Sequence, residues 1–116
     1  MTVEELREFA LSLPCATEDV KWEKDLCFCV GAKMFCVTFT EANPASASFK
    51  VKPEVFDELC ERAEFEPAPY LARYKWVLVR NTDKISKKEL LELIRISHQL
   101  VGAALPAKTK KEIGWR

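Results

Sequence analysis

Apolar positions at Leu6, Phe9, Ala10 and Leu13 recur three and four apart, which places them on one face of a helix over residues 3–13. Thr2, with Glu5 three residues on, forms a capping box at its start. Pro14 stops it, because the residue before a proline avoids the α region. Residues 15–25, CATEDVKWEKD, break the period and read as a connection with a short extended piece around Val20 and Trp22. The period then becomes two. Residues 26–30 and 34–39 alternate, and Gly31-Ala32 between them suits a two-residue hairpin loop. In the simplest register Val30 faces Lys33, Phe28 faces Phe35 and Leu26 faces Val37. Leu26, Phe28, Phe35, Val37 and Phe39 then share one face. Cys27, Cys29, Met34, Cys36 and Thr38 share the other, with Cys27 opposite Cys36.

Beyond the loop TEANPAS, residues 47–52 alternate again, with Ala47, Phe49 and Val51 on one side and Ser48, Lys50 and Lys52 on the other. Pro53 opens a second helix at its favoured first position. Val55, Phe56, Leu59, Cys60 and Ala63 form its inner stripe, and Glu54, Asp57, Glu58 and Glu61 its outer one. EFEPAP is a proline-stiffened connection. RYKWVLVR, residues 73–80, reads as a fourth strand, with Tyr74, Trp76 and Leu78 on one side; periodicity turns Tyr74 and Trp76 toward the helices. Ser86 with Glu89 makes a second capping box, and Leu90, Leu91, Ile94, Ser97/His98, Val101 and Leu105 line the inner face of a helix over about residues 87–104. Pro106 stops it. Residues 107–116 are a basic tail, mobile unless Ile113 and Trp115 dock.

The order helix, three strands, helix, strand, helix predicts an α+β fold: an antiparallel sheet of about four or more strands, with N- and C-terminal helices packed on it. With 116 residues and no linker or repeat, residues 1–116 read as a single domain. Apolar residues make up 48% and charged residues 31%, which excludes a disordered chain. No apolar run approaches membrane-spanning length, and the first residues carry acids rather than the basic charge of a signal peptide. A cytoplasmic protein with five thiols is expected.

Charge changes this picture in one respect. The net charge is zero, but residues 1–72 hold 7 Lys+Arg against 14 Asp+Glu, a balance of −7, and residues 73–116 hold 11 against 4, a balance of +7. The total argues against strong non-specific nucleic-acid binding, while the asymmetry permits one basic and one acidic face. The basic residues interleave with aromatic ones on the strands: Lys50 and Lys52 on one, and Arg73, Lys75 and Arg80 beside Tyr74 and Trp76 on another. Such a mixture meets phosphates and bases. A solvated sheet face carries lysines and arginines too.

Other chemistry finds less support. The cysteine pattern is C-x-C then C-x6-C, without a zinc knuckle, and the only histidine is His98. The thiols therefore read as small packed side chains, and a Cys27–Cys36 disulfide is disfavoured by strain and compartment. There is no nucleophile elbow, no metalloprotease motif and no glycine-rich phosphate loop. No catalytic residue, cofactor or metal site is expected, and the chain does not read as an enzyme.

Several segments, in order, resemble the MmcQ/YjbR family. They are the helix ending Leu13-Pro14, then Glu18 and Trp22; Val30-Gly31-Ala32-Lys33-Met34-Phe35, similar to a V-G-G-K-M-F hairpin; and Lys50 followed by Pro53. Pro69-Tyr70 ahead of Trp76-Val77, Ser97-His98-Gln99-Leu100-Val101, and Leu105-Pro106 complete the set. The resemblance covers nearly the whole chain. It implies a CyaY-like α+β fold, compared with a double-wing DNA-binding motif, and a DNA-binding role. His98 stands where the family often has Tyr, Lys52 where an acid is common, and Lys75 where His is common. The last two raise local positive charge.

The leading expectation is thus duplex-DNA binding through hairpin tips and strand edges. Lys33, Lys50, Lys52, Arg73, Lys75 and Arg80 would meet the backbone, with Trp76 beside them, and Lys108, Lys110 and Lys111 would add non-specific attraction. The alternative is a non-enzymatic module that binds a protein partner or a cation through the acidic face of the second helix, with Glu18, Asp19, Glu23 and Asp25 adding to it.

Overall fold

Thr2 Oγ1 accepts the Glu5 N–H at 3.1 Å, and the Glu5 carboxylate accepts the Thr2 N–H at 3.2 Å, so the capping box forms and starts α1 (Val3–Ser12). The computed structural model describes residues 1–21 and 23–116. Trp22, with its part in the extended piece and in the family motif, lies outside the described residues. After α1 come β1 (Ala16–Lys21), β2 (Asp25–Val30), β3 (Lys33–Phe39), β4 (Ala47–Lys50), α2 (Pro53–Cys60), β5 (Glu66–Pro67), β6 (Trp76–Val79), α3 (Lys87–Ala103) and α4 (Ala107–Ile113). Six strands form one antiparallel sheet in the order β1-β2-β3-β4-β6-β5. The expected α+β class holds.

The differences have local causes. Residues 15–25, read as a connection, supply β1. Its polar residues suit an edge strand with four exposed positions in a row. Residues 73–80 are not one strand. Ala72–Tyr74 form a 3-10 turn, and Lys75 takes a left-handed φ of 66°, so Arg73 and Lys75 leave the sheet and only Trp76–Val79 pair. Ser86 caps α3 by accepting the Glu89 N–H at 3.1 Å. The Glu89 carboxylate does not close a second capping box. It takes Arg62 in two hydrogen bonds of 2.7 and 2.9 Å, and Arg62 also reaches Glu64 at 3.0 Å. Arg62 holds both carboxyls below their usual range. Residues 107–116 are not a loose tail: α4 folds back, and Ile113 and Trp115 pack against the core.

The hairpin register also differs. Gly31 (φ 56°) and Ala32 (φ 66°) make the tight turn, and Val30 pairs with Lys33 and Cys29 with Met34. A bulge follows, after which Phe28 pairs with Cys36, Cys27 with Val37 and Leu26 with Thr38. The extra residue is Phe35. One slipped residue flips every side chain beyond it. Cys36 and Thr38 therefore join Leu26 and Phe28 toward the helices, and Val37 and Phe39 turn away. Cys27 and Cys36 lie on opposite faces of the sheet.

The pairing defines those faces. One row runs Glu18, Phe28, Cys36, Phe49, Val77 and Pro67, and the helices cover it; Glu18 meets Arg7 of α1 at 2.8 Å. Phe28, Phe35, Phe49, Val77 and Leu90 are fully buried there. At about 1.5–3 kcal/mol for each large side chain, this side holds most of the stabilisation. The next row, Asp19, Cys27, Val37, Ser48, Leu78 and Glu66, faces away from the helices. Trp76 belongs to this second face, opposite Lys50, and not to the helix-side core that its periodicity suggested.

Candidate functional site

The face without helices is only partly covered. Beyond β5 the segment 68–75 crosses to it, held by an Ala68 N–H to Trp76 carbonyl bond of 3.0 Å. Tyr70 (φ 66°) and Lys75 (φ 66°) both adopt left-handed backbone in this short segment. Non-glycine residues rarely do so, and the cost marks segments whose shape matters. Tyr70 is 98% exposed and Tyr74 49% exposed.

Between this segment and the C-terminal end of α3 lies a groove of about 440 Å³, with Met34, Leu71, Trp76, Leu100 and Val101 among its apolar lining and Lys33 and Lys50 on its walls. Met34 and Leu71 also line a second hollow of about 400 Å³ that reaches Cys27, Val37 and Tyr70. Leu100 and Ala104 also line a third, of about 590 Å³, with Lys52. The three adjoin as one belt, the first two on the open face and the third along α3.

Helix α3 reaches this face because β3 and β4 part. Their ladder pairs only Cys36 with Phe49 and Val37 with Ser48. Beyond it, Ser97 of α3 fills the gap: its hydroxyl donates to the Phe35 carbonyl at 2.6 Å and accepts the Lys50 N–H at 3.0 Å. The Phe35 bulge and this serine together splay the strands, and Leu100 and Val101, one turn on, line the opening. The hairpin tip is not free. A Cβ at Gly31 would lie 2.7 Å from Leu105 Cδ1 on a residue with φ 56°, so glycine suits both the turn and the close approach of the α3–α4 elbow.

The candidate residues divide. Lys33, Lys50 and Trp76 converge on the groove, though Trp76 is buried. Lys50 Nζ donates to the Tyr74 carbonyl at 2.6 Å, tying the wall to the 68–75 segment. The Arg73 guanidinium lies over the Tyr74 ring, 4.8 Å from its centroid, and donates to its hydroxyl at 2.7 Å, so the two side chains are held together at the rim. Lys52 lies at the far end of the belt. Two candidates face elsewhere. Lys75 Nζ sits 4.9 Å from the Phe56 ring centroid, toward α2. Arg80 is held by Glu66 in a bidentate pair, with Nε to both oxygens at 2.9 and 3.0 Å. Met34, Leu71 and Leu100 were not among the sequence candidates, since nothing marks an apolar residue as groove floor rather than core. Tyr70 was visible only through the Pro69-Tyr70 motif.

The other chemistry-bearing groups sit apart. Cys27, Cys29 and Cys36 are buried free thiols, and burial pushes each above the usual thiol range. His98 is fully buried, donates Nε2–H to the Pro14 carbonyl at 2.7 Å, and lies between the Phe35 and Trp115 rings at 5.1 and 5.0 Å. Burial lowers its pKa, so the ring is neutral. The outer α2 carboxylates Glu54, Asp57, Glu58 and Glu61 are exposed. Among the described residues no three His, Cys, Asp or Glu side chains come together as metal ligands.

A family model described as YjbR matches residues 11–100. A crystal structure of a Deinococcus radiodurans protein, with a domain labelled DUF419, matches with a TM-score of 0.88 and 29% identity, covering 99% of this chain and 89% of the other. A Pseudomonas syringae protein shares the fold with a TM-score of 0.72 and 20% identity, over 87% of this chain and 99% of the other. No curated protein matches. Among the described residues no helix is long and apolar enough to cross a membrane.

Proposed function

The chain belongs to the YjbR family, and from that premise we propose that it is a non-enzymatic, cytoplasmic DNA-binding protein whose open-face groove holds the phosphate backbone. One observation carries the reading: Lys33 from the hairpin and Lys50 from β4 converge with Trp76 and Tyr74 on one groove. Arg73 at its rim and Lys52 at its end extend the positive line. None of these four cations is paired with a carboxylate among the described residues. Arg80 and Lys75, engaged elsewhere, drop out of the site. In this reading the β2–β3 hairpin is a wall of the groove rather than a free wing, because Leu105 packs on its tip.

The test is fluorescence anisotropy with labelled DNA, single- and double-stranded, at low and rising salt. Binding at micromolar protein or below is expected, with log affinity falling linearly in log salt by about 0.7–0.9 per phosphate contact. Replacing Lys33 and Lys50 together with alanine should flatten that slope by roughly 1.4–1.8. Absence of binding to every DNA at low salt would refute the reading.

A further inference from the structure

The lining of the groove is more specific than its charge. Its floor is apolar: Met34, Leu71, Trp76 and Leu100. Charge sits on the walls, at Lys33 and Lys50, and at the rim, where Arg73 is held over the ring of Tyr74, which lines the groove. At the adjoining second hollow, which shares Met34 and Leu71, Tyr70 stands almost wholly in solvent on a left-handed backbone. A duplex hides its base faces in its own stack and offers phosphates and base edges. It could touch the rim cations, but would leave the recessed floor and the tyrosine faces unfilled. Met34 and Trp76 of this floor come from β3 and β6, with β4 between them in the sheet.

From this geometry we infer that the ligand of the groove is a single unpaired nucleic-acid strand. Its bases lie against Tyr70, Tyr74 and the Met34–Leu71 floor, and its phosphates meet Lys33, Lys50 and Arg73. An unpaired strand carries apolar planar faces on a charged chain, which is the same alternation that lines the groove. Stacking on aromatic and guanidinium planes tolerates any base, so little sequence preference is expected. This inference rests on the DNA-binding reading and narrows it.

The experiment compares the full chain by anisotropy with labelled oligo(dT) and oligo(U) of about 12 nucleotides and a blunt duplex of about 12 base pairs, all at the same salt and at equal phosphate concentration. Inorganic polyphosphate serves as competitor. Single strands should bind at least tenfold more tightly than duplex. Tyr70→Ala should weaken single-strand binding by about fivefold or more and leave duplex binding unchanged. The Tyr70 ring is solvent-exposed, so this variant keeps the fold. Equal or tighter duplex binding, or a Tyr70→Ala and Tyr74→Ala pair without effect, overturns the unpaired strand and leaves the broader DNA reading standing. Polyphosphate competing as well as unlabelled oligonucleotide also overturns it, since charge alone would then account for binding. Silence from every nucleic acid ends both readings. If oligo(U) binds as oligo(dT) does, the inference holds and extends to RNA.

Discussion

Ser97, on a helix, takes the backbone N–H of Lys50 that a strand neighbour would otherwise hold, at 3.0 Å, and passes its own proton to the Phe35 carbonyl at 2.6 Å. One fully buried hydroxyl thus stands in for a rung of the β3–β4 ladder. Ser97→Ala would leave two backbone groups without their partner, at a cost of about 1–3 kcal/mol. Urea unfolding should show that loss, and the Lys50 amide should exchange faster. A variant as stable as the parent would mean that the strands close the gap unaided.

Gly102 lies under the Trp115 indole, and a Cβ there would come within 2.1–2.4 Å of three ring carbons. Gly102→Ala should therefore expel Trp115, shift tryptophan emission to the red and cost about 1–3 kcal/mol. Adding Trp115→Ala should recover part of the loss, because the two residues are in contact and their effects are coupled. Strict additivity in this cycle would count against the packing described.

His98 sets a pH dependence. Burial holds its folded pKa below the ordinary 6.5, with the Pro14 hydrogen bond opposing in part. The unfolded chain therefore binds the proton more readily. Stability from the neutral ring is complete above about pH 6.5 and declines as pH falls through that value toward the folded pKa, by at most about 1.4 kcal/mol per pH unit. Glu64 and Glu89, lowered by Arg62, lose their contribution only below their ordinary value of 4.5. Thermal melts should fall between pH 7 and 5 in the parent, and less steeply in His98→Gln. Parallel slopes would show that other groups carry the effect.

The thiols should fall into two classes under a thiol reagent. Cys15 and Cys60 are partly exposed and should react in the native protein, whereas Cys27, Cys29 and Cys36 are buried and should wait for unfolding. Mild oxidation should not link Cys27 to Cys36, since the bulge puts them on opposite faces. A mass shift of two hydrogens mapping to that pair would contradict the register.

Much of the fold was legible. Thr2, Glu5 and Pro14 bound α1 in the sequence because caps are local chemistry, and Pro53 and Ser86 opened α2 and α3 in the same way. What escaped depends on distant partners. The Phe35 bulge leaves no mark in an alternating pattern, and it reversed the faces of Cys36 and Val37. Glu89 satisfied the capping-box spacing, but Arg62, 27 residues away, offered its carboxylate a stronger bond. Lys75 looked like a strand position until its left-handed backbone turned it toward Phe56. For the candidate groove, the lysines stood out in the sequence and the floor did not, since apolar residues look alike until the sheet divides them between its two faces.

The two borders of the sheet have a consequence for behaviour in solution. The β1 border exposes Glu18, Asp19 and Val20 in succession, so a second copy laid alongside would bring like charges together. The opposite border, β5, is two residues long, and one of them is Pro67, which has no N–H to offer. A six-stranded sheet open on one face would otherwise invite the growth of continuous strand stacks. Here both ends reject the next strand, so the chain should tolerate concentration while keeping its open face available.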